Sequence, residues 1–287
     1  MIQDKPMYKF FIVIGFMLLI NPAFSQRRHR LPENSSIKFD SIAFATQKHY
    51  LNGLSADEYQ KKTFKFKDIH IPYRLLSPSN FKSTKKYPLV VTLHNSTRVG
   101  NDNEKQLEPL SRIWLRPDIR KNFQAFVLAP QFETRSTNYA FDQVRNVQVS
   151  KPNANLPIII DLIEQLKKEL NIDENRIYLI GYSMGGSSVQ NLLSLSPGTF
   201  AAMISIAGVP DFSSTNALQS KPIWLIHGEK DNENPFNGSE ALVNELKQNK
   251  KIRFSIYSNL DHNTINYPLL STDELPKWLF QWKTNPL

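Results

Sequence analysis

The run from Arg176 to Gly186 constrains this chain more than any other. It opens on Ile177-Tyr178-Leu179-Ile180, a short apolar stretch of β-branched and aromatic residues that reads as a buried strand. Gly181-Tyr182-Ser183-Met184-Gly185 follows at once and fits G-x-S-x-G. A helical stretch then runs from Ser187 to Leu195, with Val189, Leu192, Leu193 and Leu195 as its apolar positions. Strand, tight turn and helix in that order place a serine on a strained turn with its hydroxyl above the sheet. Gly181 and Gly185 keep side chains away from a backbone that passes close to its neighbours. The helix N-terminus points amides at the serine, where they favour negative charge.

The rest of the chain supplies the sheet that such a turn needs. Pro88 to Leu93 is almost continuously apolar, as a central strand covered on both faces must be. Ala125 to Leu128, Met203 to Ala207, Pro222 to Ile226 and Ile252 to Tyr257 read as further strands. Pro157 to Leu170 has helical spacing, with Ile159, Leu162, Ile163, Leu166 and Leu170 on one face. Helices are also expected from Ser239 to Leu246 and from Leu275 to Trp282. Strands alternating with helices predict an α/β fold with a mostly parallel, doubly wound sheet and helices on both faces. Phe64 to Phe66 and Ile69 to Leu76 read as an edge strand and its partner, Pro72 arguing for an edge position. Thr134 to Asn155 is polar with scattered aromatics and is long for a structureless loop, which predicts that it folds over a site.

The N-terminus reads as an export signal. Lys5 and Lys9 precede the apolar run Phe10 to Ile20; Asn21-Pro22 breaks it, and small residues around Ser25 predict cleavage there. This divides the 287 residues into a signal peptide (1–25), a lead-in segment (26–60) and one catalytic domain (61–287), placing the mature chain in the periplasm or outside the cell. There is no cysteine, which excludes disulfides and thiol chemistry. Losing Asp4, Lys5 and Lys9 with the signal takes the formal charge from +9 to +8. The positive residues are scattered and no basic helix with interleaved aromatics occurs, so the pattern is a solvated basic surface and not a nucleic-acid site.

A serine hydroxyl becomes a nucleophile only when a base takes its proton, and the base needs an acid to hold its tautomer. Of the six histidines, only His227 and His262 follow Ser183. His227 ends a strand just before Gly228, the place of a buried turn. His262 lies in the loop after the last strand and is the expected base. Asp231, just after the preceding strand, is the expected acid, with Asp211 as runner-up and Glu229 and Glu233 behind it. Asp261 adjoins His262 and reads as solvated. The oxyanion amides are expected at Met184 and at Ser96, with Thr97 next.

These motifs resemble the α/β-hydrolase superfamily. More narrowly they resemble secreted bacterial esterases of the feruloyl-esterase, polyhydroxybutyrate-depolymerase and "predicted peptidase" group. The likeness rests on Tyr87 to His94, Arg98, Gly100, Asp102-Asn103, Ala129-Pro130-Gln131, Ile172 to Gly186, His227 to Pro235 and His262. It implies nucleophile, acid and base roles for Ser183, Asp231 and His262. Three positions depart from the pattern: Asn95 stands where glycine is usual, Asn234 where valine is, and Asp261 where glycine is. The reading is a serine esterase acting on carbohydrate-linked or small acyl esters with no cofactor and no metal. A serine peptidase on the same scaffold and a non-catalytic carbohydrate-binding protein are the alternatives. Trp114, Phe132, Tyr139 and Phe236 are read equally as pocket lining or as core anchors.

Overall fold

Runs that are apolar at every position make the centre of the sheet. The computed structural model describes Met1 and residues 33–284, so the expected signal peptide lies outside the described residues apart from its first methionine. The strands are β1 (Glu33–Ser35), β2 (Tyr59–Phe66), β3 (Ile69–Leu76), β4 (Tyr87–Leu93), β5 (Phe126–Pro130), β6 (Thr137–Asp142), β7 (Val147–Pro152), β8 (Ile172–Tyr182), β9 (Ala202–Ile206), β10 (Ile223–Gly228) and β11 (Ile252–Tyr257). Nine of them form one sheet in the order β1-β11-β10-β9-β8-β4-β5-β3-β2. Only β3 runs against the others. Every residue of β4, β5, β9 and β10 is buried, because helices cover both faces.

The helices are α1 (Ser41–Gly53), α2 (Pro109–Arg112), α3 (Pro117–Asn122), α4 (Ile158–Glu169), α5 (Met184–Leu195), α6 (Thr215–Leu218), α7 (Phe236–Glu245) and α8 (Glu274–Leu279). Alternate strand residues feed two separate cores. Leu89, Val91 and Leu179 pack with α4, α5 and α7 on one face. Val90, Tyr178 and Ile180 pack with α1, α2, α3 and α8 on the other. This is the α/β-hydrolase architecture. No helix among the described residues is long and apolar enough to cross a membrane.

One expectation, the edge position suggested by Pro72, changes. β3 is an inner strand, and β2 is the edge; Pro72 is tolerated because the β3–β5 pairing begins only at Tyr73, so its missing N–H interrupts no inner ladder. Residues 134–155, long for a structureless loop, have regular structure of their own. They form the antiparallel β6–β7 hairpin, whose tight end is set by Asp142 accepting from the N–H groups of Val144 and Arg145. Trp114 and Phe132, 2% and 0% exposed, are buried as core anchors, one of the two readings that the sequence left open.

Candidate active site

β8 rises through the middle of the sheet beside β4, where the strand order reverses toward β5. Crevices at the carboxyl ends of strands collect at such a switch point. Ser183 follows β8 there at φ 59° and ψ −121°, and its N–H donates to Ile206 O at 2.9 Å. A side chain bearing a Cβ enters this backbone region only under constraint. The constraint is close packing. A Cβ on Gly185 would lie 2.0 Å from Leu93 O, so α5 butts directly against the end of β4. Only glycine permits that approach.

The partners come from the next two strand ends. β10 ends at Gly228, where a Cβ would lie 2.2 Å from Leu260 O. That contact brings the turn holding Asp231 against the loop holding His262. His262 Nδ1 lies 2.7 Å from Asp231 Oδ2, and His262 Nε2 lies 2.8 Å from Ser183 Oγ. A carboxylate only accepts, so Nδ1 carries the proton and Nε2 is free to accept from the serine hydroxyl. All three residues are at most 9% exposed. Tyr182 secures the loop from below: its hydroxyl donates to His262 O at 2.8 Å.

Asp231 is held as an anion. Burial opposes its ionisation, but hydrogen bonds from His227, His262 and the Asn234 N–H outweigh burial and keep the carboxyl well below the usual carboxylate range. Oδ1 accepts from the N–H groups of Glu233 (3.0 Å) and Asn234 (2.9 Å). His227 stands behind the acid. Its Nε2 donates to Asn234 O at 2.9 Å and lies 3.3 Å from Asp231 Oδ2. The sequence reading placed His227 in a buried turn and did not assign this contact, although a histidine four residues before the acid was the available signal.

None of the other candidate acids reaches His262 Nδ1: Glu233, the nearest, has Oε2 3.7 Å from Nε2 on the opposite side of the ring. Asp211 is buried and accepts from Asn191 Nδ2 and the Ser213 N–H. Asp261 accepts from the N–H groups of Asn263 and Thr264 within its own loop. Glu229 is exposed.

Met184 opens α5 and Ser96 opens a short 3-10 turn at Ser96–Arg98, so both carry amides that a helix leaves without an internal partner. The loop between β4 and that turn is extended at Asn95, with φ −76° and ψ 172°. No left-handed residue is required there, so glycine is dispensable. Asn95 instead accepts from Thr97 N (2.8 Å) and Oγ1 (2.7 Å) and donates to Glu108 Oε2. Burial pushes the Glu108 carboxyl up to about 8, against the pull of Arg98 and Asn95. This Asn95–Glu108 contact fixes the turn and was not legible beforehand. Next to it, His94 accepts from the Phe132 N–H at Nε2 and faces Asn95 O at Nδ1, which fits a neutral imidazole.

The dienelactone hydrolase family model matches residues 120–267, just over half of the chain. A bifunctional acetylxylan esterase/xylanase of Neocallimastix patriciarum is 26% identical over 213 residues, covering 74% of this chain and 28% of that protein. A probable feruloyl esterase C of Aspergillus flavus is 26% identical over 182 residues, covering 62% of this chain and 61% of that one. Among solved structures, a thermostable esterase superposes with a TM-score of 0.71 at 33% identity, over 79% of this chain and 64% of the other. The chain therefore spans less than two thirds of each of these relatives. The family match covers α4, the serine turn, the acid turn and the loop of His262, the segments that build the relay. On that match, the chain belongs to the dienelactone hydrolase family.

Proposed function

We propose that the protein is a serine carboxylic-ester hydrolase acting through Ser183, His262 and Asp231. The observation that carries this is the unbroken relay of 2.8 and 2.7 Å ending on a serine at positive φ. Ser183 Oγ attacks the ester carbonyl carbon as His262 Nε2 takes its proton. The N–H groups of Met184 and Ser96 hold the oxyanion of the tetrahedral intermediate. His262 gives the proton to the leaving alcohol oxygen, and the acyl group stays on Ser183. Water, deprotonated by His262, then attacks the acyl-enzyme carbonyl; the Oγ–acyl bond breaks, His262 returns the proton to Ser183 Oγ, and the acid is released. Asp231, held ionised, stabilises the imidazolium in both halves.

The names of the relatives, acetylxylan esterase and feruloyl esterase, support acyl esters on carbohydrate as substrates. Export by the N-terminal signal, with cleavage after Ser25, puts residues 26–287 among such polymers. The test is hydrolysis of p-nitrophenyl acetate, butyrate and octanoate and of methyl ferulate by the mature chain and by Ser183→Ala. Wild-type turnover should fall by at least about a thousandfold in the variant. Equal rates in both folded proteins would overturn the reading, and peptide turnover alone would move it to a serine peptidase.

A further inference from the structure

Glu233 stands beside the relay without belonging to it. Its N–H donates to Asp231 Oδ1 at 3.0 Å, so the acid turn itself sets its position. Oε1 accepts from Asn263 Nδ2 at 3.0 Å, which ties the side chain to the residue after His262. The second oxygen, Oε2, lies 3.7 Å from His262 Nε2, the nitrogen that faces Ser183. The Glu233 side chain is 60% exposed, so it keeps its hydration while facing an imidazole that is 5% exposed.

We propose that Glu233 is a specificity-determining residue: its carboxylate flanks the path of the leaving alcohol and disfavours esters whose alcohol portion is anionic relative to neutral or cationic ones. The proposal rests on the hydrolase reading of Ser183 and His262. Its logic is geometric. Nε2 must come within about 3 Å of the leaving oxygen to protonate it. A carboxylate held 3.7 Å from that nitrogen then lies within about 7 Å of the departing group. At that separation, near a protein surface, one unit charge changes a rate by roughly threefold to tenfold. Asp261 is also nearby in sequence, but its Oδ1 is engaged by Asn263 N, Thr264 N and Thr264 Oγ1.

The other groups that bear on His262 are Asp231 at Nδ1, His227 behind Asp231, the Tyr182 ring 5.2 Å away, Asp261, and Glu108, which acts on Tyr182. Glu233 is the carboxylate on the Nε2 side.

Three acetate esters that differ in leaving-group charge test this: 4-acetoxybenzoate, its neutral methyl ester and 4-(trimethylammonio)phenyl acetate. In the wild type, kcat/KM relative to Ser183-independent background should rise from the anionic to the cationic ester. Glu233→Gln should compress that spread by roughly threefold to tenfold, and Glu233→Asp should retain part of it. Raising NaCl from 10 mM to 0.5 M should compress the wild-type spread toward that of Glu233→Gln, because an exposed charge is screened. An unchanged spread in Glu233→Gln, with all three esters still hydrolysed in a Ser183-dependent way, would overturn the inference alone. No Ser183-dependent hydrolysis of any of them would overturn the hydrolase reading beneath it.

Discussion

Ser183 and His94 show how single residues carry the cost of the site. At φ 59° Ser183 stores backbone strain that glycine would relieve. Ser183→Gly and Ser183→Ala both remove the hydroxyl, so their difference isolates the backbone. Ser183→Gly should be the more stable of the two by up to about 1 kcal/mol in thermal unfolding, glycine's unfolded-state entropy offsetting part of the relief. Both variants should be inactive. His94 is 1% exposed, and burial lowers its imidazole to about 4 despite the hydrogen bond to Asn95 O that favours the charged form. Its folded value lies below its unfolded one, so its stabilising contribution is complete above pH 6.5. That contribution is lost as pH falls toward 4, by on the order of 3 kcal/mol. Urea midpoints between pH 7 and pH 4.5 should fall in the wild type and fall less steeply in His94→Gln.

At the scale of elements, the β6–β7 hairpin is the addition that the serine turn's helix makes possible. Its strands pack on the polar face of α5: Ser136 Oγ meets Ser188 Oγ at 2.8 Å, Thr137 Oγ1 donates to Asn191 Oδ1 at 2.8 Å, and Tyr139 Oη meets Ser187 Oγ at 3.1 Å. Asn191 Nδ2 also donates to Ser150 Oγ and Asp211 Oδ2. Asn191→Leu would strand several buried polar groups and should cost about 2–4 kcal/mol. Trypsin should then cut early at Arg145 in the hairpin turn, seen by mass spectrometry of the first fragments, while the wild type resists there. This anchoring explains why the hairpin was unreadable: its partner surface is a set of serines and an asparagine distant in sequence, not an apolar stripe. α2 and α3, of 4 and 6 residues, are likewise too short to show a helical period. β1, with 3 residues, carries no periodic signal and is defined by its pairing with β11. By contrast β4, β9 and β10 were plain in the sequence, because a strand buried on both faces must be apolar throughout.

Across the whole molecule, the four loops of the site leave the carboxyl ends of β4, β8, β10 and β11, which gathers residues spread from Ser96 to His262 at one edge of the sheet. That regularity made Ser183, Asp231 and His262 nameable from their order along the chain. Two contacts around them, Glu108 on Asn95 and Glu233 beside His262 Nε2, depend on how separate turns meet, and nothing local encodes them, whereas His227 behind Asp231 is a local pair four residues apart. The central claim is that this edge holds an activated nucleophile. Intact mass and peptide mapping after brief exposure to a fluorophosphonate test it most directly. One adduct should form, on the peptide that carries Ser183, and should be absent from both Ser183→Ala and the denatured chain. A folded wild-type protein whose mass does not change, or an adduct on any other residue, would contradict the account.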